Sequence, residues 1–322
     1  MITSISSVFL NKYLMDLGEF TFHYPLTMTW FQLVVALVCI YCSYSLNRYV
    51  CIDFMVPTRG YRTLFCFNFL PNFEFKMDTA IHTMPLSLLY VGMLTFNNLC
   101  LDYADIHVYH TARSISICFT ALFTFVLLGE TIPKKIIGAC ALVFIGYAMG
   151  GLEELHISTI SSIGMGFGLI SSCLMALYSI QVKKLLAVYK NHWILMIYNV
   201  IGAILFLFPI CVMTGEFQKA TAVSYLFNSK FLAILIVTAL IAYVVNISNF
   251  LLISYTSPLT NSVAISVRSV IESFLSLFIH GTSLSGAGML SSAFTVLGTY
   301  LYTWLKLKDM QKKNLMHESF ID

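Results

Sequence analysis

The sequence predicts an all-α polytopic membrane protein with ten transmembrane helices, arranged as two five-helix inverted repeats. Three observations predict this fold class. The 322 residues are 58% hydrophobic and only 10% charged, with a mean hydropathy of +0.83, whereas soluble domains average about 25% charged residues. Apolar runs long enough to cross about 30 Å of hydrocarbon recur along the whole chain. Finally, two apolar segments that each contain an arginine repeat one another in the two halves.

About 20 apolar residues are needed for each span, and prolines and glycines mark the turns. The spans are predicted at residues 1–15, 24–47, 79–103, 107–129, 132–151, 160–185, 191–214, 229–256, 258–280 and 284–305. The first is short, which predicts that Met1 falls inside a helix.

The ten spans divide into two repeats and a tail. The first repeat is predicted over residues 1–151, with a long cytosolic loop at 48–78, and the second over 152–305. Residues 306–322 are predicted to be a cytosolic tail. Repeats with an odd number of spans have inverted topology, which is a known transporter architecture with its site near the midplane.

The basic residues predict the orientation in the membrane. If both ends and the even-numbered loops share one side, thirteen of the eighteen Lys and Arg residues lie on that side and two lie opposite. Cytosolic loops carry such an excess, so both termini are predicted to be cytosolic. The net charge of +3 is too small to indicate nucleic-acid binding. Three basic residues remain within spans: Lys12, Arg113 and Arg268.

Arg113 and Arg268 occupy matching places in the two halves. An arginine in hydrocarbon costs from a few to more than ~10 kcal/mol, so it marks a functional site by default. Its planar guanidinium binds phosphate bidentately. A duplicated transporter with a phosphate-binding site is therefore predicted. A shift of 155 positions aligns six identical pairs: Val108/Val263, Arg113/Arg268, Ser114/Ser269, Phe119/Phe274, Leu122/Leu277 and Phe123/Phe278.

A structural ion pair is the alternative for each arginine. Glu272 follows Arg268 by four residues and lies on the same helix face. Arg113 has no acid one turn away, and only tertiary packing could bring Asp102 or Asp105 to it.

Other polar residues in spans are weaker candidates for the site. Asn97 and Asn98 either line the cavity or form hydrogen bonds between helices. Tyr198 offers a flat ring, and Asn199 offers an amide that could read the edge of a base. Four tyrosines could also line a cavity: Tyr13, Tyr109, Tyr178 and Tyr255.

Enzyme motifs are absent from the sequence. The eight histidines form no H-E-x-x-H pattern, there is no G-x-S-x-G motif, and the nine cysteines show neither disulfide nor zinc spacing. A membrane-embedded transferase would need an acidic metal-binding cluster, and a receptor would not need duplicated inward arginines. No catalysis, metal or cofactor is predicted.

Several longer motifs suggest a family. The runs are Thr3–Asp16, Met84-Pro85-Leu86-Ser87, Gly92–Leu101, Arg113-Ser114, Tyr198-Asn199, Thr256–Thr260 and Tyr302-Thr303-Trp304. In these the chain resembles the nucleotide-sugar transporters of the drug/metabolite transporter superfamily, in the triose-phosphate/nucleotide-sugar translocator branch, and within them the GDP-fucose members.

The resemblance implies import of a GDP-sugar, GDP-fucose first, into the Golgi lumen in exchange for GMP. In the family's GDP-sugar branch, an F-Y-N-N motif binds guanine and a lysine-ended motif faces the phosphates. These motifs fall on 197–200 and 264–268, where Val200 replaces the second asparagine and Arg268 replaces the lysine. By this resemblance Arg113 and Arg268 hold phosphates, Tyr198 and Asn199 hold the base, and Asn97, Asn98 and Lys12 line the cavity.

The sequence leaves several alternatives open. The substrate could be GDP-mannose, a UDP-sugar or a sugar phosphate, and the membrane could be that of the endoplasmic reticulum. The expected partners are the nucleotide sugar, the nucleoside monophosphate and the lipid bilayer. A homodimer is compatible with the sequence, which does not fix the oligomeric state.

Overall fold

Helices make up the regular secondary structure of the described part of the chain. The structure is a computed structural model, and it describes residues 6–7, 10–11, 13–14, 22–53, 75–103, 106–129, 133–157, 159–189, 191–256, 260–261, 263–265, 267–268, 271 and 286–318. No strand occurs within these ranges. Long apolar runs fold as helices because a helix satisfies its backbone polar groups internally in hydrocarbon. The prediction of an all-α polytopic membrane protein is confirmed.

Ten helices of very different length have their bounds within the described residues. They are α1 Pro25–Asp53, α2 Met77–Tyr103, α3 Ile106–Ser114, α4 Ser116–Leu128, α5 Lys134–Ile157, α6 Thr159–Tyr189, α7 His192–Met213, α8 Glu216–Thr221, α9 Ser229–Tyr255 and α10 Gly286–Glu318. Within the described residues, six segments are long and apolar enough to span a membrane: Pro25–Ser43, Met77–Tyr103, Thr111–Leu128, Ile163–Tyr189, His192–Met213 and Ser229–Tyr255. Ten spans in two inverted repeats stays a prediction.

The span predicted over 107–129 contains a tight turn at Ile115, whose φ of −67° and ψ of −15° remain right-handed helical. The amides of Cys118 and Phe119 both donate to the Ile115 carbonyl, at 2.9 and 3.3 Å, so the first turn of α4 contains a tight i→i−3 bond. Neither proline nor glycine lies nearby, so the hydrophobic pattern gives no signal for this turn.

Some helix boundaries, and one additional short helix, also differ from the prediction. Helix α10 continues to Glu318 instead of ending at 305, because residues 306–318 include neither glycine nor proline and are rich in good helix formers. Helix α5 runs through Gly150-Gly151 to Ile157. The short helix α8 was not predicted. It follows Gly215, whose positive φ of 72° turns the chain after α7.

The chain forms two compact units. Unit 1 comprises Met1–Val91 and Lys184–Ser254, and unit 2 comprises Gly92–Lys183 and Tyr255–Asp322. Each unit therefore takes segments from both halves of the sequence. A contact unit and a topological repeat are different divisions of a chain, so the repeats at 1–151 and 152–305 stay a prediction.

In unit 1, α1 packs beside α7 and α8. The Trp30 indole Nε1 donates to the Ile204 carbonyl at 3.3 Å, and its ring lies 5.5 Å from Phe208 and 5.9 Å from Phe217. The Glu216 carboxylate accepts hydrogen bonds from the first amides of α1, at Leu26 (2.9 Å) and Thr27 (3.3 Å). A side chain on α8 thus caps the amino terminus of α1.

In unit 2, small residues allow α5 and α10 to approach closely. The Ser291 hydroxyl donates to the Gly146 carbonyl at 2.6 Å. A methyl group on Gly146 would lie 2.8 Å from the Ser291 carbonyl oxygen, and one on Gly298 would lie 2.8 Å from the Val143 nitrogen. Such small-residue contacts are typical of helix pairs in membranes.

Candidate functional site

Arg113 lies at the end of α3, in a segment whose other residues are buried. Ala112 and the four residues from Ser114 to Ile117 are each at most 1% exposed, while Arg113 is half-buried. Its Nη1 donates to the Tyr109 hydroxyl at 2.7 Å. The guanidinium carbon lies 5.8 Å from the centroid of the same ring. Tyr109 therefore orients the guanidinium from one helical turn earlier.

The backbone beside Arg113 is fixed by α6. The Ser172 hydroxyl donates to the Ala112 carbonyl at 2.7 Å. Gly168 also faces this segment, and a methyl group there would lie 2.6 Å from the Ala112 Cβ and 2.9 Å from the Cys100 sulfur. The close approach of α3 and α6 therefore requires glycine and positions Arg113 within unit 2.

The Arg113 guanidinium retains capacity to bind an anion. Guanidinium has five N–H donors, and Tyr109 accepts one of them. The buried Nε has no hydrogen-bond partner among the described residues. Asp102, an acid considered as its partner, is exposed, and Asp105 lies outside the described residues. A phosphate oxygen would supply the missing acceptor.

Arg268 is buried, with 5% of its side chain exposed. Every described residue between 260 and 271 is helical, which agrees with the predicted span at 258–280. The segment is anchored to α6, since the Asn261 amide donates to the Ser179 hydroxyl at 3.1 Å and the Lys183 ammonium donates to the Thr256 carbonyl. Glu272 lies outside the described residues, so its pairing with Arg268 stays a prediction.

The remaining candidates in the first half differ in exposure. Asn97 and Asn98 are half-buried on α2. Lys12 lies outside the described residues. Among the four tyrosines, Tyr109 and Tyr178 are buried, whereas Tyr13 and Tyr255 are 44% and 72% exposed.

Tyr198 and Asn199 are buried on α7, in unit 1. The Tyr198 hydroxyl accepts a hydrogen bond from the Lys76 amide at 2.6 Å and lies 3.3 Å from the Lys76 carbonyl. The Asn199 carbonyl accepts a hydrogen bond from the Ser87 hydroxyl of α2 at 3.4 Å. Both candidates for base binding are thus packed against the amino-terminal half of α2.

The structure divides the predicted site residues between the two units. Asn97, Asn98, Arg113 and Arg268 belong to unit 2, and Tyr198 and Asn199 belong to unit 1. The residues predicted to bind phosphate therefore share one unit, and those predicted to bind the base share the other.

Several residues position the site without having been predicted in that role; Tyr109 was predicted only as a residue that could line the cavity. The hydroxyls of Ser87 and Ser172 donate hydrogen bonds to backbone carbonyls of neighbouring helices. Gly168 and Gly202 allow close helix packing, and Tyr109 orients Arg113. Tyr109 precedes Arg113 by four residues, so helical spacing could have identified it. The others act across tertiary contacts, which helical spacing does not show.

Known proteins resemble this chain along most of its length. It is 36% identical over 310 residues to GDP-fucose transporter 1 of Dictyostelium discoideum, covering 96% of this chain and 79% of that protein. It is 30% identical to GDP-fucose transporter 1 of Nematostella vectensis, covering 98% and 89%. It is 28% identical to the Golgi GDP-fucose transporter of Drosophila melanogaster, covering 97% and 89%.

A solved crystal structure has a similar fold. It superposes with a TM-score of 0.58 at 13% sequence identity, covering 94% of this chain and 96% of the other. The sequence profile of the Triose-phosphate Transporter family matches residues 1–303. The chain therefore belongs to the Triose-phosphate Transporter family, within the drug/metabolite transporter superfamily.

Proposed function

We propose that this chain imports a GDP-sugar, GDP-fucose first, from the cytosol into the Golgi lumen in exchange for GMP. The observation that carries the proposal is similarity over 96–98% of the chain to proteins named GDP-fucose transporter. The chain is a transporter-family protein and not an enzyme. Its ten spans would form two inverted repeats, with both termini cytosolic and the site between the repeats.

Each group of candidate residues has a role in this proposal. Arg113 and Arg268 bind the phosphates, and Tyr198 and Asn199 bind the guanine. The smaller polar residues and one lysine, all on predicted spans, line the cavity: Asn97, Asn98 and Lys12. The hydrogen bond from Arg113 to Tyr109 supports the first role, because it holds the fork of donors that bidentate phosphate binding needs.

Charge supplies a physical reason for exchange. Closing a site around guanidinium groups without an anion removes them from water and is costly. A bound nucleotide phosphate compensates those charges. The transporter alternates between a state open to the cytosol and a state open to the lumen. This interconversion is therefore favoured with a GDP-sugar or GMP bound, which couples entry of one to exit of the other.

The experiment is uptake of radiolabelled GDP-fucose into liposomes that contain the purified protein. Vesicles preloaded with GMP should take up label faster than vesicles preloaded with guanosine or left empty. Equal rates would refute exchange. Unlabelled GDP-fucose should compete best, and stronger competition by UDP- or CMP-sugars would refute the choice of substrate.

A second candidate is transport of another nucleotide sugar, such as GDP-mannose or a UDP-sugar, or of a sugar phosphate. Two observations favour it: the family profile is named for triose phosphates, and Val200 stands where the GDP-sugar motif has asparagine. The same competition panel, extended to triose phosphates, distinguishes the two. Antibody localisation would distinguish Golgi from endoplasmic reticulum, and cross-linking in membranes would detect a homodimer.

A further inference from the structure

Tyr198 is in contact with the two residues that precede α2. Its hydroxyl is 2.6 Å from the Lys76 amide and 3.3 Å from the Lys76 carbonyl, so both polar groups of one residue face it. Its ring lies 5.5 Å from the Phe75 ring, with an angle of 36° between the planes. The ring and the hydroxyl of Tyr198 are the two groups with which it could contact a base. Both are therefore already in contact with Phe75 or Lys76.

This contact is not what holds α2 against α7. Ser87 donates to the Asn199 carbonyl deeper in the helix pair, and a methyl group on Gly202 would overlap the Ser87 hydroxyl. The two helices are therefore in tight contact independently of the chain before Met77. Phe75 and Lys76 are exposed, so they can move away from Tyr198 without separating α2 from α7, although Lys76 then loses the hydrogen bond from the Ala80 amide to its carbonyl.

The groups presented to Tyr198 resemble those of a nucleobase. The backbone of Lys76 offers an N–H donor and a C=O acceptor, as guanine does at its lactam edge. The Phe75 ring offers a flat π surface, and bases pack on aromatic side chains through such surfaces at about 1–3 kcal/mol per base. Lys76 directly precedes α2 and is bonded to its first turn, since the Lys76 carbonyl accepts the Ala80 amide at 3.1 Å.

We infer that Phe75 and Lys76 form an internal plug, which occupies the contacts of Tyr198 that a guanine base takes in the transport cycle. This inference rests on the proposed function, because it assigns the base to Tyr198. Nucleotide binding displaces the plug from Tyr198, and release of the nucleotide restores it. The plug keeps the aromatic surface covered when the site is empty, and it lowers affinity by competing with the base.

The test measures GMP binding to the purified full-length protein. Phe75→Ala should tighten GMP binding by roughly 3- to 10-fold, since an aromatic pair is lost only from the empty state. Phe75→Tyr, which keeps the ring, should bind GMP as the wild type does. Phe227→Ala removes another exposed phenylalanine of unit 1, away from Tyr198, and serves as the control.

Hydrogen exchange at the Lys76 amide gives a second readout. The amide should exchange slowly in the free protein and faster when GMP is bound. If GMP binds but neither the Phe75→Ala affinity nor the Lys76 exchange rate changes, the plug is refuted and the proposed function stands. If GMP binds neither the wild type nor Phe75→Ala, the proposed function itself fails. If the Lys76 amide exchanges faster in Tyr198→Phe, but its exchange in the wild type is the same with and without GMP, the contact is a permanent structural anchor and the plug is refuted.

Discussion

The guanidinium of Arg113 is held by the hydroxyl of Tyr109, one helical turn earlier, across 2.7 Å. Both residues lie on α3, before the tight turn at Ile115. A hydroxyl one helical turn earlier therefore fixes the direction of a guanidinium that is predicted to bind phosphate.

Tyr109→Phe should reduce GDP-fucose uptake by about 3- to 10-fold, mainly through a higher KM. The variant retains the ring but loses the hydrogen bond that orients the charge. The expected loss corresponds to about 0.7–1.4 kcal/mol, less than the roughly 1.5–3 kcal/mol of a hydrogen bond to a charged group, because the guanidinium keeps its donors to the substrate. Initial uptake rates over a range of substrate concentrations measure the effect. Tyr300→Phe, on an exposed tyrosine, is the control. An unchanged KM would mean that Tyr109 does not position Arg113 for binding.

Gly202→Ala should destabilise the protein by about 1–3 kcal/mol, because an added methyl group overlaps the Ser87 hydroxyl in the packed α2–α7 contact. Thermal unfolding in detergent measures it. Gly166→Ala, on a helical glycine with open space around it, should be neutral or stabilising. Adding Ser87→Ala to Gly202→Ala should recover part of the loss. Equal melting temperatures for Gly202→Ala and Gly166→Ala would contradict the contact.

Glu216→Gln should lower stability by roughly 1 kcal/mol, because the carboxylate accepts two amides at the positive end of α1. The amide oxygen of Gln can still accept, so only the charge is removed. Glu216→Ala removes the acceptor as well and should cost more. Melting temperatures compared at low and high salt measure the charge contribution. A Gln variant as unstable as the Ala variant would show that the charge supplies the whole effect.

Lys183→Ala should lower stability by roughly 1 kcal/mol, because the ammonium binds the Thr256 carbonyl just past the end of α9. Since Thr256 leads into the segment that carries Arg268, uptake should fall as well. Lys184→Ala provides the matched control, because Lys184 is the exposed neighbour on the same helix. Equal effects of the two substitutions on melting temperature and uptake would refute this role of Lys183.

Much of the fold was predictable because hydrocarbon imposes simple rules. Apolar length and helical backbone bonding predict the helices, and α7 runs from His192 to Met213 where a span was predicted at 191–214. The tight turn at Ile115 was not predictable, because no proline or glycine marks it. Span length does not predict the extension of α10 to Glu318, which depends on the helix propensity of the residues past the span.

The candidate site was likewise predictable only in part. Arg113 and Arg268 stand out because a charge in an apolar run is costly, and both prove to be wholly or partly buried. The contacts of Tyr198 with Phe75 and Lys76 were not predictable. They join residues 122 positions apart along the sequence, and hydrophobic periodicity carries no information on such pairs.

The most direct test of the central claim, that Arg113 and Arg268 bind phosphate, compares the affinities of GMP and guanosine. Loss of charge-assisted hydrogen bonds worth about 1.5–3 kcal/mol corresponds to roughly 10- to 150-fold in affinity. Arg113→Gln and Arg268→Gln should each reduce the preference for GMP over guanosine by at least about 10-fold, with guanosine affinity unchanged. An unchanged preference in either variant, in protein that inserts and melts like the wild type, would contradict the claim for that arginine.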